Sequence, residues 1–244
     1  MERKQLDYKC GNTVCKGYLV HNEIVKEPRP GIMIFHAWKG QDDFAREKAE
    51  EFAKLGYVAM AVDLYGDGKT AETDEEALAL MMPLFKDRAL LRERVCAAHE
   101  AFREHNLVSK KSIGVIGYCF GGLAAIELLR SGAKVNGVVS VHGVLGDKMG
   151  EEVATRAPST EKMKGAVLML HGKDDPLVSD DDIKNIQKEF TDAHIDWQMH
   201  IYGNTVHAFT NPKVKDASSG LAYNEVASKR AWNTTKSFFN EQLL

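Results

Sequence analysis

The sequence predicts an α/β fold: a mostly parallel, twisted sheet of about eight strands with helices on both faces. Three observations predict it. Short, mostly apolar runs recur at 32–35, 57–62, 112–116, 135–141 and 166–170, with a last strand read at 195–202; such runs are expected of strands covered on both sides. Stretches of helical periodicity separate these runs, which is the βα alternation of a parallel sheet. The chain has 244 residues, 44% of them hydrophobic and 27% charged. A single domain over 1–244 of that size buries about three quarters of its unfolded surface and needs no disulfide or structural metal.

Each element has a local reason. Residues 5–9 and 16–21 flank Gly11-Asn12, turn chemistry that predicts an antiparallel hairpin over about 5–21 at the sheet edge. Pro28 and Pro30 break the chain before the strand at 32–35, which runs out into His36-Ala37-Trp38-Lys39-Gly40. A helix over 42–54 carries Phe44, Ala45, Ala49, Phe52 and Ala53 on one side, and Gly56 stops it. The strand at 57–62 leads into Asp63-Leu64-Tyr65-Gly66. Thr73 and Glu76 form a capping box for a helix that reaches Met82, where Pro83 interrupts it, and a longer helix spans 87–105. The strand at 135–141 ends at His142-Gly143, and the polar connection 145–163, with Pro158, has the composition of a short helix or part of a small lid. The strand at 166–170 opens into His171-Gly172-Lys173-Asp174-Asp175-Pro176. Ser179 with Asp182 caps a helix to Asp192, the strand at 195–202 leads to Gly203-Asn204-Thr205-Val206-His207, and the last helix spans 221–242.

The chain is organised around Gly117-Tyr118-Cys119-Phe120-Gly121-Gly122, between the buried strand 112–116 and helix formers from Leu123 to Arg130. A strand that turns within a few residues into a helix leaves its middle residue on a sharp corner, and the glycines relieve the crowding there. This is the nucleophile elbow G-x-S-x-G with cysteine in place of serine. A helix N-terminus favours thiolate over thiol at such a corner. A small core cysteine in a Gly-rich turn, or a dinucleotide loop, is the plainer reading of the hexapeptide alone.

Right-handed crossovers bring the C-terminal ends of all parallel strands to one rim, where ligands bind. That rim carries His36, Trp38, Tyr65, Cys119, His142, Asp175 and His207. A thiol needs a base, and the base needs a group that fixes its tautomer. Nucleophile, acid and histidine follow one another in the α/β-hydrolase order, here Cys119, Asp175 and His207. The oxyanion hole then takes the backbone N–H of Phe120 and, from the loop after an earlier strand, that of Trp38. His36, Tyr65, Tyr118, His142 and Phe209 are candidates for the pocket wall.

Composition excludes other classes. The formal net charge is −3, which argues against an electrostatic nucleic-acid or anionic-membrane binder. No apolar run approaches the ~20 residues of a membrane helix, and Met1-Glu2-Arg3-Lys4-Gln5-Leu6 lacks the apolar centre of a signal peptide. Cys10, Cys15, Cys96 and Cys119 form no zinc spacing and read as free thiols of a reducing cytoplasm. His36, His142, His171 and His207 gather near the rim without H-x-H or H-E-x-x-H spacing, which argues against a metal hydrolase. Two rivals to catalysis at Cys119 are a redox-sensing thiol and a binding protein that keeps the fold without turnover. A monomer and a homodimer are equally compatible with the sequence.

The segments Phe35-His36-Ala37-Trp38-Lys39-Gly40, Asp63-Leu64-Tyr65-Gly66, Gly114-Val115-Ile116-Gly117-Tyr118-Cys119-Phe120-Gly121-Gly122, His171-Gly172-Lys173-Asp174-Asp175-Pro176-Leu177-Val178 and Tyr202-Gly203-Asn204-Thr205-Val206-His207-Ala208-Phe209-Thr210-Asn211-Pro212 resemble the dienelactone hydrolase (carboxymethylenebutenolidase) family of α/β hydrolases. The resemblance runs from about residue 16 to the C-terminus. It implies a Cys119–His207–Asp175 triad, no cofactor, and hydrolysis of a small ester or lactone, the family's named reaction being the opening of a dienelactone ring. It also implies a glutamate that touches the thiol from the loop after residues 32–35; this chain has Ala37 there.

Overall fold

The computed structural model describes residues 1–146 and 163–244. The strands β1 (Glu2–Cys10), β2 (Thr13–His21), β3 (Arg29–Phe35), β4 (Val58–Val62), β5 (Val108–Tyr118), β6 (Gly137–Val141), β7 (Ala166–Gly172) and β8 (Trp197–Tyr202) form one sheet in the order β1-β2-β4-β3-β5-β6-β7-β8. The β1–β2 and β2–β4 pairs are antiparallel, and every later pair is parallel. The chain moves outward from β3 to β4 and then returns to the other side of β3 as β5. That reversal opens a crevice at the C-terminal ends of β3 and β5, where ligands of open α/β sheets bind.

Successive residues of a strand point to opposite faces, so each central strand feeds two cores. Ile32, Ile34, Ile116 and Val139 meet Phe44 and Phe52 of α1 (Asp43–Lys54) and Phe238 and Phe239 of α6 (Glu225–Leu243). Met33, Phe35, Val115 and Val138 share the other core with Leu84 and Phe85 of α2 (Asp74–Lys86), Val95 and Phe102 of α3 (Arg88–Arg103), Leu128 of α4 (Phe120–Arg130) and Phe190 of α5 (Asp180–Asp192). The helices therefore cover both faces of an eight-stranded sheet.

Both capping boxes form, Thr73 with Glu76 and Ser179 with Asp182. Several boundaries depart from the sequence reading: β3 starts at Arg29 and takes in Pro30 instead of beginning at 32, and β5 starts at Val108 rather than 112. The edge hairpin spans 2–21 rather than 5–21, because β1 stays paired with β2 through Glu2 and His21. Pro83 lies inside α2 instead of ending it: a proline forfeits one helical hydrogen bond, while Asp87 N–H still donates to the Pro83 carbonyl and Leu84 and Phe85 are buried. The last helix starts at Glu225, not 221, because the residues before it are used elsewhere: β9 (Lys215–Asp216) pairs with β10 (Leu221–Ala222), and Asn224 caps the helix by accepting from Ala227 N–H. Residues 147–162, most of the connection read as a helix or lid, lie outside the described residues.

Candidate active site

The corner between β5 and α4 is strained at one residue. Cys119 has φ 56° and ψ −118°, a conformation costing a side-chain-bearing residue about 1–3 kcal/mol. Its surroundings enforce it. A Cβ on Gly121 would lie 2.2 Å from the Phe35 carbonyl oxygen, and one on Gly122 would lie 2.7 Å from Gly143 Cα. The first turn of α4 is thus wedged between the ends of β3 and β6, and only glycine fits at these two positions. Cys119 N–H donates to the Val141 carbonyl at 3.1 Å, which ties the corner to β6. The side chain is left half-buried at the crevice.

His207 and Asp175, 32 residues apart, meet at 2.7 Å between Nδ1 and Oδ2. Both are buried. Of the two adjacent aspartates only Asp175 turns inward; Asp174 is exposed. The other Asp175 oxygen, Oδ1, accepts from Leu177 N–H at 2.9 Å, so the carboxylate is held from both sides. With Asp175 accepting at Nδ1–H, the free lone pair of a neutral His207 belongs to Nε2. That nitrogen is buried and makes no hydrogen bond of good geometry among the described residues. Burial alone would depress the His207 pKa, but the charge of a Cys119 thiolate and the hydrogen bond to Asp175 outweigh it and raise the value to about 10.

Among the described residues neither Trp38 N–H nor Phe120 N–H has a backbone acceptor. The loop carrying Trp38 is held by Tyr65, whose hydroxyl donates to the Trp38 carbonyl at 2.7 Å and whose ring stacks 6.3 Å from Phe120. His36 also serves the loops: Nδ1–H donates to the Ala37 carbonyl at 2.6 Å and Nε2 accepts from Leu64 N–H at 3.2 Å. Both its nitrogens are thereby occupied, and burial lowers its pKa. Tyr118 and Phe209 lie in the core shared with α1 and α6, and Phe209 packs its ring against His142 and Tyr202 at 5.2 and 5.4 Å. His142 lies in the same layer, 5.1 Å from the His207 ring.

The sequence reading missed what anchors the histidine loop. His207 N–H donates to the Gly220 carbonyl, and the His207 carbonyl accepts from Ala222 N–H, at 3.0 and 3.1 Å. Gly220 has φ 73°, and a Cβ there would strike Pro176 Cγ at 2.5 Å, so the same turn rests on the loop that holds Asp175. A left-handed glycine ahead of an Asn cap was the available signal. Among the described residues, no group of three or more His, Cys, Asp and Glu side chains is arranged to hold a metal.

A wound sheet with a strained strand-to-helix corner after the strand beside its switch point is the architecture of the α/β hydrolases, and this chain is one of them. Residues 15–243 match the dienelactone hydrolase family, to which the chain belongs. The chain is similar to the protein usf of Aquifex pyrophilus, at 26% identity over 225 residues covering 88% of this chain and 89% of the relative. A crystal structure of a dienelactone hydrolase-like promiscuous phosphotriesterase from metagenomic libraries superposes with a TM-score of 0.92, at 33% identity, over 100% of this chain and 99% of the other. A second structure, described as m3DLH, gives a TM-score of 0.91 at 34% identity over 100% and 99%. No helix among the described residues is long and apolar enough to cross a membrane.

Proposed function

We propose that the chain hydrolyses a small carboxylic ester or lactone through an acyl–thioenzyme intermediate, with Cys119 as nucleophile, His207 as base and acid, and Asp175 as the group that orients His207. The observation that supports it most is the 2.7 Å Asp175–His207 hydrogen bond, which directs the second ring nitrogen away from the carboxylate, where it is buried without a hydrogen bond of good geometry. The proton of the thiol passes to His207 Nε2, giving a thiolate and an imidazolium stabilised by Asp175.

The thiolate forms a bond to the carbonyl carbon, and the carbonyl electron pair moves to oxygen. The Trp38 and Phe120 N–H groups, unpaired in the backbone, receive that oxyanion. Collapse breaks the bond to the alkoxide, which takes the proton from His207; in a lactone this hydroxyl stays tethered to the acyl group. Water then gives a proton to His207 Nε2 and attacks the thioester, and the thiolate departs. Neither half-reaction draws on a cofactor. A carboxylate at position 37 would add a second acceptor beside the thiol; with Ala37 the proton has His207 as its destination.

Phosphotriesters are the second substrate class, because the structural relative at 33% identity is described as a promiscuous phosphotriesterase. Thiolate attack at phosphorus uses the same groups. A panel of nitrophenyl esters, lactones and phosphotriesters, assayed with the wild type and Cys119→Ala, tests the assignment. Turnover confined to the wild type supports it, and equal turnover by Cys119→Ala refutes it.

A further inference from the structure

His142 begins at the end of β6 with φ 37°, a strained backbone for a histidine. Its main-chain N–H is fixed to the Leu170 carbonyl of β7 at 2.8 Å. Its ring reaches in two directions. Nδ1 lies 3.2 Å from the backbone nitrogen of Cys119, and Nε2 lies 2.8 Å from Thr210 Oγ1. The Cys119 N–H, which also donates to the Val141 carbonyl at 3.1 Å, is shared with Nδ1; a backbone N–H can only donate, so Nδ1 carries the lone pair and Nε2 the hydrogen. His142 is therefore a neutral ring of defined tautomer, accepting from the nucleophile's main chain and donating to the loop that bears the catalytic histidine.

The ring also touches the histidine itself, edge to face at 5.1 Å. Protonation of Nδ1 would oppose two N–H groups at Cys119 and place a second cation beside the His207 imidazolium. Burial first, then the His207 charge and that of His171, hold the His142 pKa well below its usual value. The polar and titratable groups facing the ring are Cys119 from the corner, Tyr118 from β5, His207 and Thr210 from the loop after β8, and His171 from β7, and the Phe209 ring packs against it as well.

We infer that His142 is a positioning residue: a neutral imidazole strut that sets the separation between the Cys119 corner and the His207 loop. The inference rests on the catalytic reading above. The corner and the loop come from strands on opposite sides of β6 and β7, and the strut joins them side chain to main chain. Misplacement of reacting groups by about 1 Å costs on the order of 100-fold in rate. A strut of this kind therefore acts on kcat and leaves substrate binding nearly alone.

Three variants test it on a nitrophenyl ester, with melting temperatures measured alongside. His142→Leu removes both hydrogen bonds and should lower kcat by about 100-fold, with KM changed less than about threefold. His142→Asn keeps an acceptor oxygen near the Nδ1 position and should recover kcat to within about tenfold of wild type. Thr210→Val removes only the outer partner and should lower kcat by about tenfold. Equal kcat in the Leu and Asn variants, or wild-type kcat in all three with only the melting temperature lowered, overturns the inference. Should His142→Leu fail to fold, Thr210→Val decides: wild-type kcat there overturns it. Full turnover by Cys119→Ala in the same assay would instead remove the catalytic reading, so the two failures are distinguishable.

Discussion

A Cβ placed on Gly117 would stand 1.8 Å from the carbonyl oxygen of Gly121, well inside contact distance of a backbone atom that cannot step aside. The two glycines let β5 and the first turn of α4 cross, and the crossing forces Cys119 to φ 56°. Replacing either glycine with alanine is expected to destabilise the fold by about 3 kcal/mol, the upper end of overpacking penalties. Urea denaturation measures it. A midpoint unchanged in Gly117→Ala would mean that the corner is looser than the geometry requires.

Asp175→Asn keeps the shape of the side chain and removes its charge. His207 then loses a partner that raises its pKa to about 10. Since the folded value lies above the usual 6.5, the imidazolium contributes stability in full below about pH 6.5 and loses it as pH rises toward 10. In the wild type the alkaline limb of kcat/KM is therefore expected near pH 10. In Asp175→Asn the limb should move toward neutrality, and kcat should fall by about 10⁴-fold, as for a triad with the wrong tautomer. A pH–rate profile unchanged by the substitution would contradict the role of Asp175.

Tyr65→Phe removes the hydroxyl that holds the Trp38 carbonyl at 2.7 Å. The Trp38 N–H then loses its fixed direction. The expected result is a fall in kcat by about 10-fold, less than the roughly 10²–10³ of deleting a donor outright, with the melting temperature nearly unchanged. Steady-state kinetics with an activated ester measures it, and an unaltered kcat would dissociate Tyr65 from the oxyanion site.

Glu127 is buried in α4, and its carboxylate bridges Arg92 of α3 at 2.7 Å and Arg130 at 2.8 Å. Arg130 in turn reaches Glu189 of α5. Glu127→Ala would leave two arginines facing a gap in the interior. Breaking a buried pair from one side costs about 3–5 kcal/mol, and chemical denaturation should show a loss of that size. Because the network lies at the far end of α4 from Cys119, the variant's folded fraction should keep wild-type kcat.

Sequence pattern was a good guide where one physical signal dominates. The double-faced apolar runs placed the parallel strands, because a strand covered on both sides has no polar face to alternate. The capping boxes at Thr73 and Ser179 marked helix starts, because they satisfy backbone donors locally. Pro83 misled, since burial of Leu84 and Phe85 outweighs one lost hydrogen bond. The segment 215–222 was illegible: its pairing with His207 is a long-range contact between irregular pieces of chain, without periodicity of its own. The residues of the proposed triad could be named by their order along the chain. The strut through His142 to Thr210 could not, because a lone histidine after a strand carries no signal of what its ring will reach.

The central claim is covalent catalysis at one sulfur. Its most direct measurement is the intact mass of the protein, quenched in the first turnovers with nitrophenyl acetate, for the wild type and for Cys119→Ala. The account predicts a transient gain of one acetyl group in the wild type, mapped to Cys119, with neither adduct nor turnover in Cys119→Ala. Ester turnover by Cys119→Ala at the wild-type rate, with no acyl adduct on the wild type, would contradict it.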